Sequence, residues 1–418
     1  MTSHRPAPGR PTSGRAWSSR AWSSRASSGR PALSPEAAAV LRLTRRGALT
    51  GVALAALAAC GTKGTRQTEA SCVSDDLSGT QKVLVFDNWP QYLDVDGKRH
   101  PTLEAFQRRT GITVRYSETI NDNDEYFGKI QGQLAGCQPT GRDLIVLSDW
   151  LVGRLVRLGW VQRLDPAALP NVQAHLLPSL RGRAIDPTGE HAVPWQGGLV
   201  GLAYNGRVAK EVRTVDELLT RPDLKGKVTL LSEMRDTMGM LLQSNGHDPG
   251  AFTDAQFDDA LAKLKRAVDS GQVRRFTGND YAPELKRGDI AACIGWSGDV
   301  LQLAAEDDKI EFVAPDSGIL IYSDDMVVPN RSTQRANAAQ LIDNYYDPAV
   351  AAQVAAYVNY ICPVDGARAE MEKIDPELAE NPLIFPTPEL LAAAKAFKPL
   401  DEAAARGYDQ KFQAVIGA

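Results

Sequence analysis

The chain has 418 residues, of which 47 are Lys or Arg and 51 are Asp or Glu. The first 59 residues hold nine of the basic groups and one of the acidic ones, so residues 60–418 carry 38 basic against 50 acidic, a net charge of −12. So acidic a surface argues against a nucleic-acid partner and suits a cationic ligand, although solubility alone accounts for part of it.

Residues 1–34 are rich in Ser, Arg, Pro and Gly, and "AWSSR" occurs twice in succession. A segment with so little apolar content cannot build a core. Arg45-Arg46 then precede an apolar run, Ala48 to Ala59, that stops at Cys60. The run is too short to cross a bilayer, which takes roughly 20 apolar residues. A positive flank, a short apolar stretch and small residues at its end read as a secretory signal. The arginine pair points to twin-arginine export. Leu57-Ala58-Ala59-Cys60 resembles the lipobox of bacterial lipoproteins. That resemblance implies loss of residues 1–59 and a lipid on Cys60, which would hold an exported protein to the outer face of the cell membrane. Residues 60–79 read as a flexible tether.

The folded part begins with the buried-strand run "KVLVF" at Lys82 to Phe86. Apolar spacing predicts a helix from Leu103 to Arg109 that ends at Gly111, a strand from Ile112 to Tyr116 and a helix from Tyr126 to Leu134. A buried strand over Asp143 to Ser148 and a helix over Trp150 to Leu158 follow. A second set comprises a strand at Lys227 to Leu231, helices at Asp236 to Gln243 and Asp254 to Ser270, and a strand at Ile290 to Trp296. Strands alternating with helices predict an α/β chain with mostly parallel sheets. Two apolar stretches without helical spacing, Val193 to Asn205 and Gly318 to Pro329, link the two sets. They read as extended segments crossing a hinge. The remainder reads as helices: Thr333 to Tyr345, Ala349 to Tyr357, Pro388 to Phe397 and a terminal one.

Four cysteines follow Cys60: Cys72, Cys137, Cys293 and Cys362. An even number in an exported chain suggests disulfides, with three connectivities open. There is no CxxC pair and no paired histidine, so no metal is expected. Neither a P-loop nor a dinucleotide fingerprint occurs, and no cofactor is expected. "IGWSGD" at Ile294 to Asp299 misses the G-x-S-x-G elbow at its last position, and no histidine stands in a catalytic context. The chain therefore reads as a non-enzyme. "NYYD" at Asn344 to Asp347 places adjacent tyrosines, which serve as iron ligands in some periplasmic proteins. Here they end a helix, and packing is the preferred reading.

Several stretches carry a wider likeness: "NWPQY" after the first strand, "QRRTGITVRYSE", "RDLIVLS", "VPWQGGLVGLAYN", "SEMRD", "IGWSGD", "YSDDMVVPN" and "VNYICPV". Their order and spacing resemble the spermidine/putrescine-binding proteins of bacterial ABC importers. The resemblance spans Lys82 to Ala418. It implies a two-lobed type II periplasmic-binding fold, closing on a ligand like a clamp. Residues 80–193 and 325–361 would form one lobe, residues 198–318 and 362–418 the other. It further implies a monomeric binder without catalytic activity that captures a polyamine-like organic cation and passes it to an ABC permease. The alternatives are a non-polyamine ligand, such as an amino-acid derivative or sugar, or an exported enzyme.

A polyamine site needs carboxylates at the spacing of the ammonium groups and aromatic walls for the methylenes. Trp89 and Tyr92 leave the carboxyl end of the first strand, and Trp296 stands at a similar strand end, where open α/β sheets bind ligands. Glu233 and Asp236 share a face at a helix start. Tyr322 and Asp324 share a side of the second crossing segment. The resemblance implies ammonium contacts for Glu233, Asp236 and Asp324, and lining roles for Trp89, Trp150, Trp296, Tyr322 and Tyr360. Three positions depart from the family pattern: Pro90-Gln91 replaces Thr-Glu, Tyr322 replaces a tryptophan, and Lys398 stands near a lost glutamine. Gln91 is thus expected to leave one end of the site uncharged. If Trp296 and Tyr360 line one cleft, Cys293 and Cys362 would pair, which leaves Cys72 with Cys137.

Overall fold

The computed structural model describes residues 72–417. The signal segment, the Cys60 anchor and most of the tether lie outside that range. Nine strands form one mixed sheet in the order β2-β1-β3-β9-β4-β7-β5-β6, with β8 beside β4. The ranges are β1 Val83–Asn88, β2 Thr113–Glu118, β3 Leu144–Ser148, β4 Ala192–Asn205, β5 Val228–Leu231, β6 Val273–Thr277, β7 Ala292–Trp296, β8 Ile310–Val313 and β9 Leu320–Val327.

One flank of the sheet is the parallel trio β2-β1-β3, and the other is the parallel trio β7-β5-β6. Each trio comes from strands alternating with helices, as the sequence predicts. The helices Pro101–Thr110 and Asp149–Leu158 stop where Gly111 and Gly159 adopt the left-handed conformation that releases a helix C-terminus. The two segments without helical spacing become the long strands β4 and β9. They pair antiparallel with each other and connect the flanks. The sheet is therefore continuous, rather than split into two separate parallel sheets. β4 is buried over its whole length, which explains its unbroken apolar reading.

Gly198 lies opposite Tyr322 across this central pair. A Cβ there would come within 2.4 Å of the tyrosine oxygen, so only glycine lets that ring lie across the strand.

Two strands escaped the sequence pattern. β6 carries Arg274 and Arg275 in mid-strand, and β8 is short with Glu311 exposed. Both lie at an edge of the pairing, where a polar side chain keeps access to water. The helix expected over Pro388 to Phe397 stops at Ala393. Its continuation is extended because Lys395 pairs with β9: the Ile321 N–H donates to the Lys395 carbonyl.

Cys72 and Cys137 are disulfide-bonded. The expected Cys293–Cys362 bond is absent, and both are buried thiols. The reason is strand geometry. Cys293 and Trp296 are three apart on β7, and an odd separation points side chains to opposite faces. Cys362 lies instead among Trp195, Tyr345 and Tyr346. Burial pushes the Cys362 thiol up to about 12 and raises that of Cys293 as well, so neither is a reactive thiolate at neutral pH. Tyr345 packs edge-on against Trp195 and Tyr346 donates to the Pro194 carbonyl at 2.6 Å, in keeping with the packing reading of "NYYD".

Alkylation in denaturant without reductant should modify Cys293 and Cys362 and spare Cys72 and Cys137. Peptide mapping reads the result, and modification of all four would remove the disulfide from the account.

Candidate functional site

β9 carries two successive aspartates, and successive strand residues face opposite ways. Asp325 is neutralised by Arg183, which donates from both terminal nitrogens, one of them at 3.0 Å. Asp324 on the other face accepts hydrogen bonds from the Tyr92 hydroxyl at 2.7 Å and the Ser148 hydroxyl at 2.6 Å. It forms no ion pair among the described residues. Burial pushes its carboxyl up to about 7, against the two hydroxyls, which favour the charged form.

Around Asp324 a narrow cleft is lined by Trp89, Tyr92, Trp150, Glu233, Asp236, Trp296 and Tyr322, with Asn123, Ser148 and Asn279. It encloses about 440 Å³, counting the space at its mouth. Trp89 and Trp296 meet edge to face, with ring centroids 6.3 Å apart. Asp236 accepts from the Trp296 indole N–H at 2.8 Å, and burial pushes its carboxyl up to about 7. Glu233 precedes the helix Met234–Ser244 and accepts from both the backbone and the side-chain N–H of Asn123, each at 2.7 Å. Asn123 opens the helix Asn123–Ala135 on the opposite flank, so this carboxylate also sits at a helix N-terminus, where negative charge is favoured. Burial still raises its pKa well above the ordinary glutamate value. A second bridge runs beside it, from the Ser232 hydroxyl to Asp122 at 2.6 Å. Together the two bridges fasten the flanks across the cleft.

Eight of the ten expected residues thus come together. Gln91 and Tyr360 are not part of the lining. Gln91 takes a left-handed backbone (φ 56°), which turns the chain between Trp89 and Tyr92. Its carbonyl accepts from Gln302 Nε2 at 3.2 Å. Gln91 therefore stands outside the lining of the cleft. Tyr360 packs edge-on against Tyr92 at 4.7 Å and donates to Asp299 at 2.6 Å. Lys398 lies over the Phe252 ring at 3.7 Å and donates to the Phe252 carbonyl, outside the cleft.

Asp299 is not in the lining but holds one residue of it, Asn279. Asn279, Tyr281 and Tyr360 all donate to it, and burial pushes its carboxyl up to about 6. The same stretch shows why "IGWSGD" is no nucleophile elbow. Ser297 is fully buried and accepts from the Leu199 N–H, and Gly298 makes room for the Tyr360 ring. Asn123 and Asn279 carry no periodic signal and could not have been found that way. Arg235 stood in plain view between the two acids. Its guanidinium lies 3.7 Å over the Trp150 ring.

Chemically, the cleft offers buried carboxylates held by neutral donors, between aromatic walls. Such walls suit cations through cation–π attraction.

The family model for bacterial extracellular solute-binding proteins matches residues 102–387. The spermidine/putrescine-binding periplasmic protein of Escherichia coli K12 is 26% identical over 310 residues, covering 74% of this chain and 84% of the relative. The putrescine-binding periplasmic protein PotF of the same organism is 28% identical over 349 residues, covering 78% and 89%. Among solved structures, a putative spermidine/putrescine ABC transporter from Listeria monocytogenes superposes with a TM-score of 0.70 at 24% identity, over 80% of this chain and 99% of that one. The Tp0655 (TpPotD) lipoprotein of Treponema pallidum gives 0.65 at 22% identity, over 80% and 100%. These likenesses show the type II periplasmic-binding fold. With the model matching well over half its length, the chain belongs to the bacterial extracellular solute-binding protein family.

Proposed function

We propose that the chain is the substrate-binding component of an ABC importer, and that it captures a polyamine-like organic cation between Asp324, Glu233, Asp236 and the aromatic walls. The observation that carries this reading is Asp324, a buried carboxylate with hydroxyl donors and no cation of its own. A desolvated charge gains most from an opposite charge that arrives already shaped to the site. The polyamine-binding relatives support the same ligand class. Trp89, Tyr92, Trp150, Trp296 and Tyr322 would flank the methylenes. An ABC permease would receive the ligand.

Asp324→Asn keeps the shape of the site and removes the charge. It should weaken binding of 1,4-diaminobutane by about 3 kcal/mol or more, over 100-fold in Kd. The pH dependence has a definite sign. Burial holds the Asp236 and Asp324 carboxyls near 7 without ligand, and a bound ammonium would draw them down. Binding then releases protons: affinity is full above pH 7 and falls as the pH drops through that value. The amine itself stays charged throughout. Calorimetry should show binding about tenfold or more weaker at pH 6 than at pH 8. Equal affinity at both pH values, with an indifferent Asp324→Asn, would sink the cation reading.

The clamp is part of the proposal. Residues 80–193 and 325–361 would move against 198–318 and 362–418, bending where β4 and β9 cross. Small-angle scattering should show a smaller radius of gyration with saturating ligand, and an unchanged radius would refute closure.

The anchor belongs to the same reading. Its support is the apolar run that ends at Cys60. Cys60→Ser should move the protein out of the membrane fraction or leave it unprocessed. Wild-type protein found wholly soluble, with an unmodified Cys60, would refute it.

A further inference from the structure

A second chamber adjoins the cleft, about 1020 Å³ with its open mouth included. The two share Trp150, Asp236 and Tyr322 as a common wall, so an elongated ligand that reaches past these side chains would meet both. Their chemistry differs. The cleft presents Asp324, Glu233 and Asp236 and no basic side chain, whereas the chamber mixes both signs: Arg154, Arg157, Arg235, Lys398 and Arg406 stand with Asp149, Asp236, Glu402 and Asp409. Arg154, Arg157 and Arg235 form no ion pair and no side-chain hydrogen bond among the described residues. Arg235 is only 8% exposed and rests on Trp150, and Arg154 lies over Phe127 with its Nε buried and unpartnered. A guanidinium has five donors and no acceptor, and it stays charged at any working pH. Leaving one buried without an acceptor is costly.

Carboxylates stand near Arg235 without reaching it: Asp409, Asp124, Glu233 and Asp149. They balance its charge at a distance but give its N–H groups no acceptor. Burial pushes Asp124 and Asp149 up to about 6 and raises Asp409, and carboxyls that titrate near 6 are still mostly ionised at neutral pH. An ammonium set against Arg235 itself would bring donors to donors, whereas a carboxylate there would supply the missing acceptor.

We propose that the ligand is zwitterionic, with its ammonium in the cleft against Asp324 and a carboxylate in the chamber against Arg235 and Arg157. This rests on the cation reading of the Asp324 cleft and departs from the polyamine at its other end, where a carboxylate replaces the second ammonium: an amino acid whose two charges are separated by a flexible chain. Carboxylate is the natural partner of a guanidinium because it accepts two parallel hydrogen bonds.

The test is calorimetry on wild-type protein with pairs of equal chain length: 1,4-diaminobutane with 4-aminobutanoate, and the homologous pairs with five and six carbons. At the length that spans both spaces, the aminocarboxylate should bind at least tenfold tighter than its diamine. In Arg235→Met, and to a smaller degree in Arg157→Met, that ratio should fall at least tenfold. Diamines that equal or exceed aminocarboxylates at every length would overturn the zwitterion and leave the cation reading standing. A ratio unchanged in both variants would also overturn it. Alkanoates without an amine that bind as tightly as the aminocarboxylates would overturn the cation reading itself. The wild-type comparison decides even if a variant fails to fold.

Discussion

Asp324 is a buried carboxylate whose nearest donors are two hydroxyls. An isolated charge in that position is expensive, and the protein meets the cost by raising its pKa to about 7 instead of supplying a cation. Its neighbour Asp325, one residue along, has Arg183 for that purpose. The contrast comes from the pleat: one face of β9 looks into the cleft and the other does not. The aromatic lining, the helix-start acids and the sheet order all act around that carboxylate. Glu233 and Asp236 repeat the device from the opposite flank, each satisfied by neutral N–H donors.

Groups that would meet a ligand, and one bridge beside them, also fasten the flanks. Asn123 donates to Glu233, Ser232 donates to Asp122, and Trp89 lies edge to face with Trp296. In the proposed function, closure and recognition would draw on one set of side chains, so each could bias the other. The central strands β4 and β9 are the path between flanks. Their pairing includes a register shift between Pro194 and Gln196, where ladder hydrogen bonding is locally interrupted. In the proposed function this is where bending concentrates.

The cleft and the chamber meet at Trp150, Asp236 and Tyr322, and the basic side chains stand only on the chamber's side. Arg235 is the residue that sets the boundary. Its guanidinium covers Trp150 and leaves less of that aromatic face for a ligand in the cleft. A site of this form discriminates by what it leaves unpaired. Donors without acceptors penalise a ligand that brings only donors.

Much of this was legible in the sequence because local rules act on neighbours. Alternation on a strand put Tyr322 and Asp324 on one side, helical spacing did the same for Glu233 and Asp236, and glycine marked the ends of the first helices. The strands with continuous apolar runs were legible for the same reason, whereas β6 and β8 were not, since edge strands keep polar residues. What crosses long distances in sequence needed the fold. Cys293 was assigned a partner through Trp296, but the pleat separates the two side chains. Gln91 reads as a cleft residue, yet the chain turns left-handed there and the residue is not in the lining. Asn123, Asn279 and the chamber of arginines come from loops and helices that meet only after β4 and β9 have paired. Composition and periodicity determined that the chain is α/β, that its strands fall in two sets and which residues could carry its charge. Only tertiary structure decided which charges find partners, because partnership is set by distances of a few ångströms between elements that no local pattern links.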